Sequence, residues 1–145
     1  MAFVKLEPLL SHKVFRWASG VNAAVSLIML ALGITVATGN HGLREIHGHT
    51  GLLFLLTALL AALSALSFSR QSRNKGLVMH GFGVFVLAVA QYAIGEIGWF
   101  WVHIILGLAV VAGAVSLFTL AMKPPPAVVT GTAAGAAVDP DVPAE

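Results

Sequence analysis

Four of the six histidines in this 145-residue chain stand at the mouths of long apolar runs: His47, His49, His80 and His103. Two of them belong to a repeated pattern. Gly39, Gly42, His47 and Gly51 recur as Gly95, Gly98, His103 and Gly107, at a constant offset of 56 residues. An ionisable side chain is costly to place at the edge of a hydrocarbon span, so it marks a candidate functional site. Two histidines at matching depths predict one shared ligand.

The composition places these histidines in a bilayer. Hydrophobic residues make up 58% of the chain and charged residues 10%, which leaves too little polar surface to cover a water-soluble globule. Four runs are long enough, at about 1.5 Å per residue, to cross about 30 Å of hydrocarbon. They cover residues 17–38, 50–68, 76–95 and 99–122. Because lipid cannot satisfy a bare backbone, each run must be helical. The predicted fold is an all-α, integral-membrane four-helix bundle.

Basic residues predict the orientation of the spans. Seven of them fall on one side of the predicted membrane: Lys5, Lys13, Arg16, Arg70, Arg73, Lys75 and Lys123. The opposite loops carry only Arg44, together with Glu45 and Glu96. The positive-inside rule therefore predicts a multi-pass protein of the cytoplasmic membrane with both termini in the cytoplasm. This asymmetry accounts for the pI of about 9.4 without a nucleic-acid partner.

Three regions follow from this pattern: a cytoplasmic lead over residues 1–16, the bundle over 17–122, and a tail over 123–145. The tail opens with prolines and continues without a helical or strand period, which predicts disorder. The chain has no cysteine, so disulfides, thiolate zinc sites and covalent c-type haem are excluded. A bound metal must use imidazole, carboxylate or thioether ligands.

Short connections favour an up-down-up-down bundle, in which spans two and four are diagonal and run in the same direction. His47 and His103 then face each other at one level. Gly51 and Gly107 lie four residues on, each on the face of its histidine, and are expected to open a slot for a flat ring. Two imidazoles in a low-dielectric core suit a b-type haem. Arg44 is a candidate cation for the ring propionates.

The other histidines leave alternatives open. A histidine at a span end can simply anchor in the headgroups, and His49 points to a different helix face from His47. His80 either forms a second, inner haem site with His12 or hydrogen-bonds a carbonyl or water. The first arrangement requires helix one to begin several residues before its apolar run. His41 is expected in a solvated loop.

The segments Leu43 to His47 and Gln91 to Gly95, with His103 after them, resemble one four-helix half of the haem A synthase family. That resemblance, over about residues 17–122, implies a histidine pair at the outer ends of helices two and four. Two features depart from the family: the chain has one half rather than two, and Gly48 stands where arginine is usual. The chain also looks like di-haem four-helix b-type cytochromes, except that Arg16 precedes Trp17 where the family often has histidine.

The sequence thus predicts a membrane haem b protein for electron transfer or haem handling, with His47 and His103 as axial ligands. One haem is expected, and a second if His12 and His80 also bind one. A single haem near one membrane surface cannot carry electrons across the bilayer alone, so a partner is expected: a quinol, a redox protein or a larger complex. The rival prediction is a cofactor-free accessory subunit of a respiratory or photosynthetic complex, packing through Ala58, Ala61, Ala62 and Ala65. Whether the protein is an enzyme stays open.

Overall fold

The computed structural model describes residues 7–124, with side chains from residue 10 onward. Four α-helices account for most of this part of the chain. They are α1 (Glu7–Ala37), α2 (Arg44–Ser72), α3 (Lys75–Ile97) and α4 (Phe100–Ala121), with one 3-10 turn, His41–Leu43, before α2. No strand occurs among the described residues. The all-helical fold expected from composition is confirmed.

Each of the four helices is long and apolar enough to cross a membrane, as the sequence predicts. Helices α1, α2 and α3 extend beyond their apolar runs, because a helix continues through interfacial polar residues that carry no hydropathy signal, whereas α4 lies within its run. Helix α1 begins at Glu7, ten residues before Trp17, so part of the predicted lead is helical. Lys123 and Pro124 are the only tail residues among those described, and the predicted disorder lies outside them.

The packing order follows the chain order. Helix α1 packs on α2 and α4, and α3 packs on the same two helices, so α2 and α4 stand diagonally opposite each other. The turns are tight and need left-handed backbone: Gly98 ends α3 at φ +82°, Gly39 follows α1 at φ +108°, and Arg73 ends α2 at φ +56°. The Asn74 side chain accepts a hydrogen bond from Gly76 N–H and so caps α3.

Polar contacts place three helix termini at the same end of the bundle, and the short turn between the end of α2 and the start of α3 places a fourth there. Ser11 Oγ donates to Gln71 Oε1 at 2.6 Å, which joins the start of α1 to the end of α2. The His12 ring reaches the carbonyl of Ala121 at the end of α4. Six basic residues lie near these termini: Lys13, Arg16, Arg70, Arg73, Lys75 and Lys123. We call this the basic end, and the opposite end, which carries His47 and His103, the histidine end.

The core combines alanines, mostly of α2, with bulkier apolar residues from all four helices. Phe15, Phe68 and Leu117 pack around Ala61 and Ala65 near the basic end. A second cluster lies toward the histidine end and contains Phe54, Ala58, Val84, Val110 and Ala114. At Gly81 a Cβ would lie 3.2 Å from Cα of Ala62, so α2 and α3 touch through their backbones. Phe54 and Ala58 of α2 and Val110 and Ala114 of α4, which follow the two histidines along their helices, are therefore core.

A buried polar pair joins α1 to α2 in the middle of the bundle. Asn22 has no exposed surface, and Thr57 Oγ1 donates to its Oδ1 at 3.2 Å. The same hydroxyl lies 3.0 Å from the carbonyl of Phe54. Hydrogen bonds between helices in an apolar medium fix the register of the two helices, because the unpaired alternative costs more there than in water.

Thr57→Val is therefore expected to lower the free energy of unfolding by about 1 kcal/mol. The valine keeps the shape of the side chain and removes the donor to Asn22. Thr119→Val is the matched control, since Thr119 is exposed and donates only to Ser116 in its own helix. Unfolding in mixed detergent micelles measures both variants. Equal losses from the two variants would contradict the assigned role of the pair.

Candidate functional site

The two histidines of the repeated pattern occupy equivalent places in their helices. His47 is the fourth residue of α2, which begins at Arg44, and His103 is the fourth residue of α4, which begins at Phe100. Gly51 and Gly107 are each one turn farther on. Equal distance from the helix start gives both imidazoles the same depth at the histidine end. The constant offset of 56 residues in the sequence therefore corresponds to equal positions in α2 and α4.

The diagonal arrangement brings the two rings together. The ring centroids of His47 and His103 are 6.1 Å apart, and the ring planes cross at 76°. Both side chains are only partly exposed. With metal–nitrogen bonds of about 2 Å, two imidazoles on opposite sides of one metal have centroids about 6 Å apart. The observed spacing therefore matches that of a shared metal.

Each ring lies against a glycine of the preceding helix. A Cβ on Gly33 of α1 would lie 3.3 Å from Cε1 of His47, and a Cβ on Gly95 of α3 would lie 2.9 Å from Cε1 of His103. Any larger residue at these positions would push the imidazole away. Gly33 and Gly95 therefore set the positions of the rings, a role that the sequence pattern did not reveal.

His103 is held to α3 by two hydrogen bonds in opposite directions. Its Nδ1 lies 3.1 Å from the carbonyl oxygen of Gln91, and Gln91 Nε2 donates to the carbonyl of His103 at 2.7 Å. A carbonyl only accepts, so Nδ1 of His103 carries the proton in the neutral ring. Nε2 is then the nitrogen with a free lone pair, which is the form a metal requires.

Long side chains of the neighbouring helices lie beside Gly51 and Gly107, where the sequence predicts a slot for a flat ring. A Cβ on Gly107 would meet Gln91 Nε2 at 2.8 Å, and a Cβ on Gly51 would meet Tyr92 at 3.4 Å and Met29 at 3.6 Å. These long side chains fill the space beside the glycines because the neighbouring helices approach closely there. Gly51 and Gly107 thus let the neighbouring helices approach closely, and their role beside a flat ring stays a prediction.

Two buried polar atoms beside the pair have no hydrogen-bond partner within residues 7–124: Nδ1 of His47 and Oε1 of Gln91. Buried polar groups are nearly always paired, so unpaired ones indicate strain or the place of a ligand. The described residues hold no cluster of three or more histidine, aspartate or glutamate side chains at metal distance. An ion bound here would take two protein ligands, which fits an iron already held in a macrocycle.

The remaining polar residues of this end face outward. His49 is mostly exposed and lies 3.7 Å from Glu45, one turn away, on a different face from His47. His41 is exposed in the 3-10 turn. Arg44 is exposed at the start of α2, three residues before His47. Residues three apart on a helix are neighbours, so Arg44 stands above the pair at the surface.

The structure does not bring His12 and His80 together. His12 is buried because α1 begins early, and its Nε2 lies 3.0 Å from the carbonyl of Ala121. His80 Nε2 lies 3.1 Å from the carbonyl of Gly113. These carbonyls are eight residues apart, about 12 Å along α4. Both Nε2 atoms donate to carbonyls, so neither offers a lone pair there. The inner haem site is therefore unsupported, and His80 has the carbonyl partner of the alternative interpretation.

Comparison of the chain with protein-family models, curated proteins and solved structures found no match. The case for a function therefore rests on the geometry of the histidine end.

Proposed function

We propose that this chain is an integral-membrane b-type haem-binding protein that uses His47 and His103 as the two axial ligands of one haem. The observation that carries the proposal is the 6.1 Å separation of the two ring centroids, on diagonal helices and at equal depth. Three further features support it. His103 has its Nδ1 engaged by a carbonyl, the pair is partly shielded from solvent, and thiolate ligands are excluded by the absence of cysteine.

Haem would supply one-electron redox chemistry at this site. The residues of the chain bind and orient it. His47 and His103 would hold it between two imidazoles whose centroids lie 6.1 Å apart, Gly33 and Gly95 let the rings lie against α1 and α3, and the surrounding apolar helices lower the local dielectric. Arg44, exposed three residues before His47, is positioned to pair with an acidic group of the ring at the surface.

The membrane arrangement forms part of the same proposal. The bundle runs up-down-up-down through the cytoplasmic membrane, with both termini in the cytoplasm and the histidine end facing outward. The six basic residues at the opposite end support this orientation by the positive-inside rule. A single haem near one surface does not carry an electron across the bilayer alone. The protein therefore serves electron transfer with a quinol, a redox protein or a larger complex, or it handles haem as cargo.

The second candidate is a cofactor-free accessory subunit. The surface first considered for its docking is not free, because Ala58, Ala61, Ala62 and Ala65 are buried between helices of the bundle itself. An accessory subunit would have to dock through the lipid-facing side chains, such as Trp101, Ile105 and Met79. Exposed apolar side chains are expected on any helix bundle in lipid, so they do not single out a docking surface. The haem proposal has the more specific support.

The experiment is purification from haem-supplemented cells, followed by absorption spectroscopy and iron analysis. A Soret band, α and β bands of a six-coordinate haem after reduction, and one iron per chain are expected. Two irons per chain would restore an inner site at His12 and His80. Folded, membrane-inserted protein with no Soret band under these conditions would favour the accessory subunit.

A further inference from the structure

The two helix hairpins at the histidine end have the same plan. In the first, α1 presents Met29 and Gly33 to His47 and Gly51 of α2. In the second, α3 presents Gln91 and Gly95 to His103 and Gly107 of α4. All four pairs are four residues apart. In each hairpin the glycine of the first helix lies against the imidazole, and the residue one turn before it reaches the glycine of the second helix.

The hairpins differ at one position, where one has methionine and the other glutamine. Gln91 donates its amide to the backbone of His103, and His103 donates its ring to the backbone of Gln91. Met29 reaches Gly51 with its terminal methyl group and offers no donor. Nδ1 of His47 is buried and has no partner within the described part of the chain. The imidazole of His103 is thus anchored by one hydrogen bond of its own, and a second bond ties the backbone of His103 to the Gln91 side chain, whereas the imidazole of His47 is held only by packing.

The unequal support has a chemical consequence for metal binding. A carbonyl that accepts from Nδ1–H fixes the tautomer and the orientation of the ring and increases its electron donation to a metal. Removal of such a partner commonly weakens metal binding by about 10- to 100-fold. His47 lacks this support, so its bond to a shared metal is the weaker of the two.

We infer that Gln91 is the positioning residue of an anchored ligand, His103, and that His47 is the ligand that an added small molecule displaces. The inference rests on the proposed function and extends it, because a displaceable ligand gives the haem a binding position for a diatomic gas. Such an exchange would need no oxidant or reductant, since the His47 imidazole would leave with its lone pair and the added ligand would bring its own.

The first test needs no haem. Nitrogen NMR of the full chain in detergent micelles, labelled in its histidine rings, reports which ring nitrogen carries the proton. His47→Gln and His103→Gln assign the two signals. In the wild type, His103 is expected to be protonated at Nδ1 alone, whereas His47 is expected to exchange between tautomers. The same tautomer population at both histidines would overturn the inference, whether or not the protein binds haem.

Substitution of Met29 and Gln91, the two residues that differ between the hairpins, tests the cause of the difference. Gln91→Met keeps the backbone carbonyl that accepts from Nδ1 of His103 but removes the amide that ties the His103 backbone to α3. The ring is then expected to lose its close approach to that carbonyl, and the His103 signal to become like that of His47. Met29→Gln places an amide at the equivalent position beside Gly51, where it can tie the backbone of His47 to α1. The His47 ring is then expected to approach the carbonyl of residue 29, and its signal to become like that of His103. Met79→Gln is the control for an added amide, since Met79 is exposed on α3 far from the pair. Signals that do not respond to either exchange would contradict the assigned role of Gln91.

The second test uses carbon monoxide as the probe on the reduced, haem-loaded protein. The wild type is expected to bind it, and Met29→Gln to bind it at least about tenfold more slowly, since His47 is then anchored. The infrared band of the bound gas is expected to match that of His47→Ala, which keeps His103 opposite the gas. A match with His103→Ala instead, or no binding to the wild type, would overturn the inference while leaving haem binding intact. If the wild-type protein binds no haem, the proposed function is refuted. The NMR comparison of the His47 and His103 tautomers still tests the unequal anchoring of the two rings, because it needs no haem.

Discussion

Replacement of either His47 or His103 by alanine is expected to abolish the six-coordinate, low-spin haem spectrum of the purified protein. Each substitution removes one of the two rings whose centroids lie 6.1 Å apart, and no other described histidine lies at that position. The effect is large because a metal ligand has no substitute at this end. His49 is turned away on another face, and His41 is exposed in the turn before α2. Absorption spectra of the oxidised and reduced proteins measure the change.

His49→Ala and His41→Ala are the matched controls. Both remove an imidazole from the same end of the bundle, and both are expected to keep the wild-type spectrum. Circular dichroism and membrane insertion report whether each variant folds. A low-spin spectrum that survives His103→Ala, or one that is lost equally in His49→Ala, would refute the ligand assignment.

Gly95→Leu is expected to lower the haem content at least about tenfold. A Cβ at position 95 would already lie 2.9 Å from Cε1 of His103, so a leucine forces the imidazole away from α3. The displaced ring loses its hydrogen bond to the carbonyl of Gln91 and no longer faces His47. The measurement is haem per chain in protein purified under the same conditions as the wild type.

The control lies on the same helix. Gly83→Leu makes the same substitution at an exposed position of α3 where a Cβ meets no atom within 4 Å. It is expected to leave the haem content unchanged. A tenfold loss in Gly83→Leu would mean that glycine is needed in α3 for reasons unrelated to His103, and normal haem content in Gly95→Leu would contradict the assigned contact.

The helices could be predicted from sequence because hydropathy and length constrain a membrane span strongly. Their ends could not, since residues such as Arg44 and His47 continue α2 without an apolar signal. Helix α2 begins six residues before the run at Thr50, and this extension places His47 inside the helix. The early start of α1 buries His12 in the same way.

The histidine pair could be predicted because equal depth on two parallel diagonal helices leaves a trace in the sequence as a fixed offset. The surroundings of the pair could not. The pattern aligns Gly95 with Gly39, whereas in the structure Gly33 is the counterpart of Gly95. Gly33 has no ionisable neighbour on its own helix face to draw attention to it. The hydrogen bonds between Gln91 and His103 could not be predicted either, because they depend on how α3 and α4 approach each other.

Electron paramagnetic resonance of the oxidised, purified protein, with its iron content measured in the same sample, tests most directly whether His47 and His103 bind one iron. Two imidazole ligands predict a low-spin ferric signal, and ring planes that cross at 76° predict strong anisotropy in that signal. The signal should account for one iron per chain and should vanish in His103→Ala. A high-spin axial signal from the wild type, or folded protein without iron, would contradict the account.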